Sequence, residues 1–409
     1  MSPATPAAPI RLGVICDYLE ERWPSMDLMP EMILRHLAEQ HAAEVLAERI
    51  RPPWRNRLVK LPGLRKSGLA RNADRVFNRY WNYPRQLRAY VKSKRFDLFH
   101  LVDHSYAQLL HELPPGRTIV TCHDLDTFSC LLTPKSEPRP KWFKALANRT
   151  LEGLQKAAAV ACDSHATRDA ILRYDLLPKE RLQVVHVAVH PACTPHADAE
   201  FDARATALLG PTPTDLAPEI LHVGSNIPRK RIDVLLNVFA RIKKTIPAAR
   251  LIKVGGRFTP EQQGLAESLG VAAAITFVPY IEPEHYAVIA AIYRRASLVL
   301  QTSDAEGFGL PVAEAMASGT VVLASDLPIL REVGGDAAIY RPVAAFEEWA
   351  EAAVTFLKEK CEHSATYQER RAASIGQAAR FSWNTHVDLL MQMYQDVLGE
   401  HSVAKLPQN

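Results

Sequence analysis

The chain of 409 residues is longer than one ordinary domain of roughly 100–200 residues, so its length predicts two or three domains. Its 47% of hydrophobic and 23% of charged residues are typical of a globular protein and exclude a largely disordered chain. No apolar run approaches the roughly 18–20 residues of a membrane span, and the N-terminus lacks the pattern of a secretory signal, so we expect a cytoplasmic protein.

The first half of the chain alternates β-rich apolar runs with stretches of helical spacing. Helices are predicted at Leu28–Leu37 and Trp142–Ala157, and a third begins behind Ser164, a suitable N-cap. Strands are predicted at Arg11–Cys16, Asp97–Val102, Thr118–Cys122, Ala158–Cys162 and Gln183–Val189. This alternation predicts a parallel sheet covered by helices on both faces.

The stretch Arg49–Arg95 carries fifteen Lys or Arg and one acid, Asp74, although the net charge of the whole chain is only +4. Within it, helical spacing relates a set of apolar residues that lie beside arginines: Leu69, Ala73, Val76, Phe77, Tyr80 and Trp81. Three interpretations are open: a helix whose aromatic face is core, an element that rests on anionic lipid at the inner membrane face, or a site for an anionic soluble acceptor. Nucleic acid is not expected, because no recognised nucleic-acid module accompanies the charge.

The second half repeats the alternation after a polar stretch, about His190–Pro218, that is predicted as a linker with one short helix. Its helices are predicted at Ile232–Ile242, about Glu284–Arg295 and around Phe346–Lys358. Its strands are predicted at Glu219–Val223, Leu251–Val254, Ile275–Val278, Leu298–Gln301 and Val321–Ala324. We therefore expect two Rossmann-like α/β domains, residues 1–195 and 218–380, joined by a linker at 196–217, with ligands at the carboxyl ends of the strands.

The segment Ser303–Gly319, SDAEGFGLPVAEAMASG, carries the most specific pattern. Gly307 and Gly309 leave the backbone uncrowded, so that peptide N–H groups can approach a ligand. Pro311 suits the start of a helix and Gly319 suits its end. A short helix between them, directly after a strand, predicts an anion site suited to a diphosphate.

Two glutamates frame this segment. Glu314 lies one turn inside the predicted helix and is suited to a ribose diol, because a carboxylate accepts two hydrogen bonds. The alternative for Glu314 is a solvated helix residue. Glu306 lies in the preceding loop, where it is placed to hold sugar hydroxyls or the charge that develops near an anomeric carbon.

A second strand, loop and helix contain Val223–Arg231, VGSNIPRKR. Arg229, Lys230 and Arg231 concentrate positive charge in its loop. A diphosphate leaving group needs its growing charge neutralised, and a lysine does this without a metal. The alternative is a basic triplet that is merely a solvated surface feature.

Together these segments resemble the large retaining GT-B glycosyltransferase family usually called family 4. The family motif of two glutamates separated by seven residues corresponds here to Glu306 and Glu314. The similarity continues through Val321–Tyr340 and the glycine-then-basic stretch Gly224–Lys230. It covers about residues 219–398 strongly and residues 97–190 more weakly.

The C-terminal residues also resemble this family, in the sequence FSW at Phe381–Trp383 and the helix Thr385–Leu398 that follows. The resemblance implies a GT-B fold, in which two Rossmann-like domains face each other across a cleft. It also implies that the C-terminal segment 381–409 crosses back to the N-domain.

The resemblance further implies roles for single residues. Lys230 would contact the diphosphate and Glu314 the ribose, while Glu306 would hold the donor sugar and His123, after the strand at Thr118–Cys122, would lie near the donor sugar and acceptor. His123, Lys230 and Glu306 are thus the expected catalytic residues, and His104 and Asp124 are expected on the acceptor side. The expected donor-binding residues are Gly224, Ser225, Arg229, Lys230, Gly307, Phe308, Gly309, Leu310 and Glu314.

Two positions depart from the family pattern. Ser225 stands where many members have an arginine, a role that Arg229 is placed to take over. The first loop, Asp17–Met26, lacks the glycine pair that is common in the family.

The sequence offers two alternatives for a metal site. Asp124 and Asp126 match the D-x-D pattern of metal-dependent glycosyltransferases, but that pattern is short and those enzymes have one nucleotide-binding domain. His100 and His104 lack an evident third ligand. We therefore expect no metal and no cofactor.

The sequence thus predicts a metal-independent retaining glycosyltransferase that moves a hexose-type sugar from a UDP- or GDP-linked donor to a glycan or lipid-linked acceptor. Peripheral contact of Arg49–Arg95 with an anionic membrane remains open. The alternatives are a nucleotide-sugar isomerase or phosphorylase on the same fold, and a catalytically silent nucleotide-sugar-binding protein.

Overall fold

The computed structural model describes residues 8–21, 23–65, 67–212, 214, 216–278, 281 and 285–403. They form two compact units: one comprises the residues up to His186 together with those from Trp383 onward, and the other comprises Val187–Ser382. Each unit contains one six-stranded sheet. Three parts of the predictions lie outside the described residues. They are the start of the first domain at 1–7, the end of the C-terminal segment at 404–409, and the helix start at Glu284.

The first unit is a parallel α/β layer structure. Its strands are β1 Ile10–Ile15, β2 Val45–Ile50, β3 Leu98–Leu101, β4 Thr118–Cys122, β5 Ala159–Cys162 and β6 Leu182–Val184. Its helices are α1 Pro24–Gln40, α2 Gly68–Phe77, α3 Tyr83–Ser93, α4 Ser129–Leu132, α5 Lys141–Leu154 and α6 His165–Arg173. The sheet order β2-β1-β3-β4-β5-β6 places β3 and β4 at the centre, where every residue is buried.

The second unit repeats this plan. Its helices are α7 Ala199–Leu209, α8 Ile232–Thr245, α9 Pro260–Ser268, α10 Tyr286–Arg295, α11 Leu310–Ala317, α12 Pro328–Gly334, α13 Phe346–Cys361 and α14 Ala365–Ala378. Its strands are β7 Glu219–Val223, β8 Arg250–Val254, β9 Ile275–Val278, β10 Leu298–Gln301, β11 Val322–Ser325 and β12 Ile339–Arg341. The order β12-β11-β10-β7-β8-β9 puts β10 and β7 side by side, so the loops after them meet at the carboxyl edge of the sheet.

Most predicted strands are confirmed to within one or two residues, with three exceptions, one of which is the edge strand β12, which was not predicted. The strand predicted at Gln183–Val189 ends at Val184. The edge strand β2 was not predicted, because the charged pair Glu48 and Arg49 interrupts its apolar pattern. An edge strand is covered by fewer neighbours and so tolerates such charges.

The last helix, α15 Trp383–Val403, belongs to the first unit, which confirms the predicted return to the N-domain. The ring of Trp383 stacks on that of His36, with centroids 6.1 Å apart. Tyr394, which is fully buried, shares a hydrogen bond of 2.8 Å with His100 of β3. Among the described residues, no helix combines the length and the apolar content that a membrane span requires.

Helix α2 carries the first part of the apolar face that is predicted in the basic stretch, and Tyr80 and Trp81 follow the helix. The predicted apolar face is exposed at Leu69, Val76 and Trp81, which keep 84%, 37% and 69% of their surface. The buried residues of the helix are Ala70 and Asp74. Phe77 and Tyr80 of the same face are half-buried, so the face is only partly exposed and the three interpretations stay open.

Candidate active site

The loop between β10 and α11 has the backbone geometry that its glycines predict. Gly309 precedes the helix at φ +92°, and a Cβ there would lie 2.7 Å from Cδ2 of Leu330. Pro311 lies in the first turn, and Gly319 follows the helix at φ +78°. The amino end of α11 therefore lies at the carboxyl edge of the second sheet, where a helix end favours anions.

Glu306 is the centre of a polar cluster in this loop. Its Oε1 atom accepts hydrogen bonds from Nζ of Lys230 at 2.6 Å, Nε2 of Gln301 at 2.5 Å and Oγ of Ser303 at 2.6 Å. Arg229 lies 3.5 Å from Oε2 and also donates to the carbonyl of Ala305. The structure thus brings together three residues that the sequence predicted at one site, Arg229, Lys230 and Glu306.

Lys230 retains capacity to bind a ligand. Its ammonium group carries three hydrogens and, among the described residues, donates only to Glu306. The Lys230 side chain is 10% exposed. An anionic ligand can therefore share this ammonium with Glu306 or replace Glu306 on it.

Glu314 is buried inside the second unit, which excludes the alternative of a solvated helix residue. Its two carboxylate oxygens accept hydrogen bonds from the hydroxyls of Tyr286 and of Tyr293, the latter at 2.9 Å. Burial raises the pKa of Glu314 to about 7, although both hydroxyls act in the opposite direction. Each carboxylate oxygen has a second lone pair, so Glu314 keeps acceptor positions that the two tyrosines do not use.

Lys253 of β8 is a buried cation beneath the loop that follows β7. Its Nζ atom donates to the carbonyls of Gly224 and of Val254. Burial, and then the charge of Lys230, lower the pKa of Lys253 to about 7. Because the C=O and N–H of a trans peptide point in opposite directions, the bond to Gly224 directs the N–H of Ser225 away from Lys253.

In the first unit, His123 follows β4 and is completely engaged by protein groups. Its Nδ1 atom lies 2.5 Å from Oδ2 of Asp163, and its Nε2 atom lies 2.8 Å from the carbonyl oxygen of Val102. Both partners are acceptors, so the ring is a doubly protonated cation. Burial opposes this charge, but Asp163 outweighs it and raises the pKa of His123 to about 9.

His104 and Asp124, the expected acceptor-side pair, lie close together beside His123. Nδ1 of His104 accepts the backbone N–H of His123 at 3.3 Å, so the ring proton is on Nε2, which lies 3.7 Å from Oδ1 of Asp124. Burial lowers the pKa of His104, despite the nearby charge of Asp103. This pair therefore offers a neutral imidazole and a carboxylate that is one-quarter exposed.

The side chains of the two alternative metal sites form hydrogen bonds to other protein groups. Oδ1 of Asp124 accepts the backbone N–H of Asp126 at 3.0 Å. The nitrogens of His100 lie 2.8 Å from the hydroxyls of Tyr394 and Thr121, and burial lowers the pKa of His100 to about 3. His100 is therefore a neutral core residue.

Several residues of these clusters were not predicted from the sequence. Asp163 directly follows β5, so the rule that ligands lie at carboxyl ends of strands could have found it. Lys253 is a charge flanked by apolar residues within the strand RLIKV, which is also a signal. Tyr286 and Tyr293 carry no such mark, because an aromatic residue in an amphipathic helix is ordinarily core.

Two family profiles match the sequence, one in each half. The profile described as glycosyltransferase family 4 matches residues 31–192, and the profile described as glycosyl transferases group 1 matches residues 213–380. The D-inositol 3-phosphate glycosyltransferases of Mycobacterium tuberculosis and Mycobacterium bovis are 31% identical over 228 residues. That similarity covers 53% of this chain and 45% of theirs, so the chain spans about half the length of the curated relatives it matches.

Solved structures resemble the whole chain at lower identity. Sucrose-phosphate synthase of Thermosynechococcus elongatus has a TM-score of 0.73 at 18% identity, covering 96% of this chain and all of that one. HepE of Anabaena, in complex with UDP and glucose, has a TM-score of 0.67 at 15% identity, covering 95% and 100%. WaaG, a glycosyltransferase involved in lipopolysaccharide biosynthesis, has a TM-score of 0.65 at 15% identity, covering 94% and 99%. These neighbours share the fold, which confirms the predicted two-domain α/β class.

Proposed function

The chain belongs to the group 1, family 4 glycosyltransferases, and from that premise we propose that it moves a hexose-type sugar from a UDP- or GDP-linked donor to an acceptor hydroxyl. The transfer retains the anomeric configuration and needs no metal. The observation that carries this proposal is the cluster of Lys230, Arg229 and Glu306 at the carboxyl edge of the second sheet, beside the amino end of α11.

This cluster has the chemistry to stabilise a leaving diphosphate. The bond between the anomeric carbon and the diphosphate oxygen breaks, the acceptor oxygen bonds to that carbon on the same face, and the acceptor proton passes to the leaving phosphate. Lys230, Arg229 and the amino end of α11 neutralise the charge that grows on the diphosphate. Glu306 binds the sugar hydroxyls and Glu314 the ribose.

The acceptor is a glycan or a lipid-linked acceptor, and the protein contacts an anionic membrane peripherally through Arg49–Arg95. Two features support this part of the proposal: the concentration of positive charge in the stretch and the exposed apolar side chains of α2. Sedimentation with anionic vesicles that weakens with salt is the expected result, and no sedimentation at low salt would contradict it.

Thermal stabilisation by UDP, GDP, ADP and TDP, each with and without EDTA, tests the donor site. One nucleotide is expected to stabilise the protein in the presence of EDTA. Lys230→Ala should weaken its binding roughly 10- to 100-fold, because a charge-assisted hydrogen bond is lost. Lys244→Ala, on an exposed lysine of the same unit, is the control and should change nothing.

Turnover then separates the proposal from its alternatives. Release of the nucleotide from its sugar conjugate should require an acceptor. Turnover without an acceptor would indicate an isomerase, turnover with phosphate would indicate a phosphorylase, and binding without turnover would indicate a silent binding protein. A stabilisation that EDTA abolishes would overturn metal independence.

A further inference from the structure

An open cavity of about 910 Å³ lies in the first unit, between α2 and the loop that precedes it. The loop contributes Trp54, Lys60 and Arg65, and the helix contributes Arg71 and Arg75. These residues all come from the basic stretch. Its lining shares no residue with the polar clusters that follow β4, β7 and β10.

Three of the four cations in this lining are available to a ligand. Arg75 is paired with Glu21, at 2.9 and 3.2 Å. Among the described residues, no hydrogen bond or ion pair engages the side chains of Lys60, Arg65 or Arg71. The lining has three acids: Glu21 pairs with Arg75, Asp74 accepts backbone N–H groups, and Glu20 is the third. The cavity therefore favours an anion.

The cavity is preformed, because the polar face of the helical segment holds the loop. The Asp74 carboxylate accepts the backbone N–H groups of Arg57, Leu58 and Val59 at 2.9–3.2 Å. Four residues on, Asn78 exchanges two hydrogen bonds of 2.9 Å with the backbone of Arg55. The burial of Asp74 and Asn78 thus serves to fix the loop, and it leaves the opposite, apolar face outside.

Large apolar side chains adjoin the cavity. Leu61 of the lining is 48% exposed, and Leu64 and Leu69, next to lining residues in the chain, are 37% and 84% exposed. Val76 lies two turns after Leu69 on the same side of α2, and Trp81 follows it. Exposed leucines and a tryptophan beside unpaired cations are typical of a surface that lies in a membrane interface.

We propose that this cavity binds the phosphate headgroup of an anionic membrane lipid, while the leucines and Trp81 enter the adjoining acyl boundary. The inference rests on the proposed membrane contact of Arg49–Arg95 and narrows it to a cation set, Lys60, Arg65 and Arg71. The apolar rim favours a lipid over a soluble phosphate, because free phosphate gains nothing from exposed leucines.

Flotation of the full chain with vesicles of phosphatidylcholine, with and without phosphatidylglycerol, tests the proposal. Binding is expected only with the anionic lipid. Arg65→Gln with Arg71→Gln should weaken it about 30-fold, since each basic residue near an anionic surface contributes about fivefold. The control pair Lys135→Gln with Lys244→Gln removes the same charge from other exposed positions. Equal weakening by both pairs would overturn the site in favour of net charge alone.

A second pair of variants tests the apolar rim. Leu61→Glu with Leu69→Glu should abolish flotation, whereas Leu208→Glu with Leu216→Glu, at 44% and 81% exposure, should not. Stabilisation by inorganic phosphate without flotation would overturn the lipid assignment in favour of a soluble anion. Self-association that the Leu61 and Leu69 changes abolish, without flotation, would overturn it in favour of a second copy. Nucleotide binding measured on the same samples reports the donor site separately.

Discussion

The carboxyl edges of the two sheets each hold a buried cation beside a carboxylate. The two pairs differ in how many hydrogen-bond donors of the cation remain available to a ligand. In the first unit, His123 has two donors, and Asp163 and the carbonyl of Val102 use both. In the second unit, Lys230 has three donors, and among the described residues only Glu306 uses one. The exposed fractions of the two cations, 9% and 10%, do not distinguish them.

This difference separates a positioning role from a binding role. A histidine with both nitrogens engaged fixes the loops that follow β3, β4 and β5, and its ring can contact a sugar only through carbon or after a bond breaks. A lysine with unused donors can accept a diphosphate without such a loss. The expected catalytic role of His123 is therefore better tested through stability than through activity alone.

The largest expected effect is a loss of stability when the pair of His123 and Asp163 is broken. His123→Leu should lower the free energy of unfolding by about 3–5 kcal/mol at pH 7, because it leaves the Asp163 carboxylate buried and unpaired. His100→Leu is the matched control: His100 is equally buried but neutral, and its loss leaves two hydroxyls unpaired, at about 1–3 kcal/mol. Urea unfolding measures both. Equal losses of unfolding free energy in the two variants would contradict a charged His123 ring.

The pH dependence of this stabilisation has a definite sign. The folded-state pKa of His123, about 9, is above its unfolded value of about 6.5. The folded state therefore binds the proton more tightly, so the stabilisation is complete below about pH 6.5 and is lost as the pH rises to about 9. The difference in unfolding free energy between wild type and His123→Leu should shrink by about 3 kcal/mol across this window. A constant difference would contradict the doubly protonated ring.

Helices α8 and α2 show which part of the fold the sequence could predict. Spacing identified both helices, and on α8 the predicted face, from Ile232 to Ile242, is buried against the core. On α2 the pattern is exposed at Leu69 and Val76, because the helix packs on loop backbone, whose N–H groups need acceptors such as Asp74. Periodicity shows that a face exists, but the chemistry of the neighbour decides which face is buried.

The candidate site was predictable to a similar extent. Lys230 and Glu306 lie in loops that follow adjacent strands, so their meeting follows from the alternation of strands and helices together with the glycine pattern. The tyrosines on Glu314 come from a separate helix, and no spacing relates them to it. Their contact is a product of packing in three dimensions.

Lys253 is a third buried cation, and its effect on stability depends on pH with the opposite sign to that of His123. Its folded-state pKa of about 7 is below the unfolded value of about 10.4, so the unfolded state binds the proton more tightly above pH 7. The stability of wild type relative to Lys253→Met should therefore rise with pH, by about 2–3 kcal/mol from pH 7 to pH 9. Unfolding at several pH values measures this. A flat difference would mean that Lys253 is not deprotonated in that range.

The smallest expected effect concerns the Glu314 carboxylate, which accepts hydrogen bonds from two tyrosine hydroxyls. Tyr293→Phe removes one hydrogen bond from Glu314 and should lower stability by about 1–2 kcal/mol at pH 8.5, where the group is ionised. The loss should be smaller at pH 5.5, below the pKa of about 7, because a hydrogen bond donated to the carboxylate favours its charged form. Tyr394→Phe, which removes the hydroxyl that contacts neutral His100, is the control and should show no such pH dependence. If Glu314 binds the ribose, Tyr293→Phe frees an acceptor and should not weaken nucleotide binding, whereas a loss of binding would make Tyr293 itself part of the donor site.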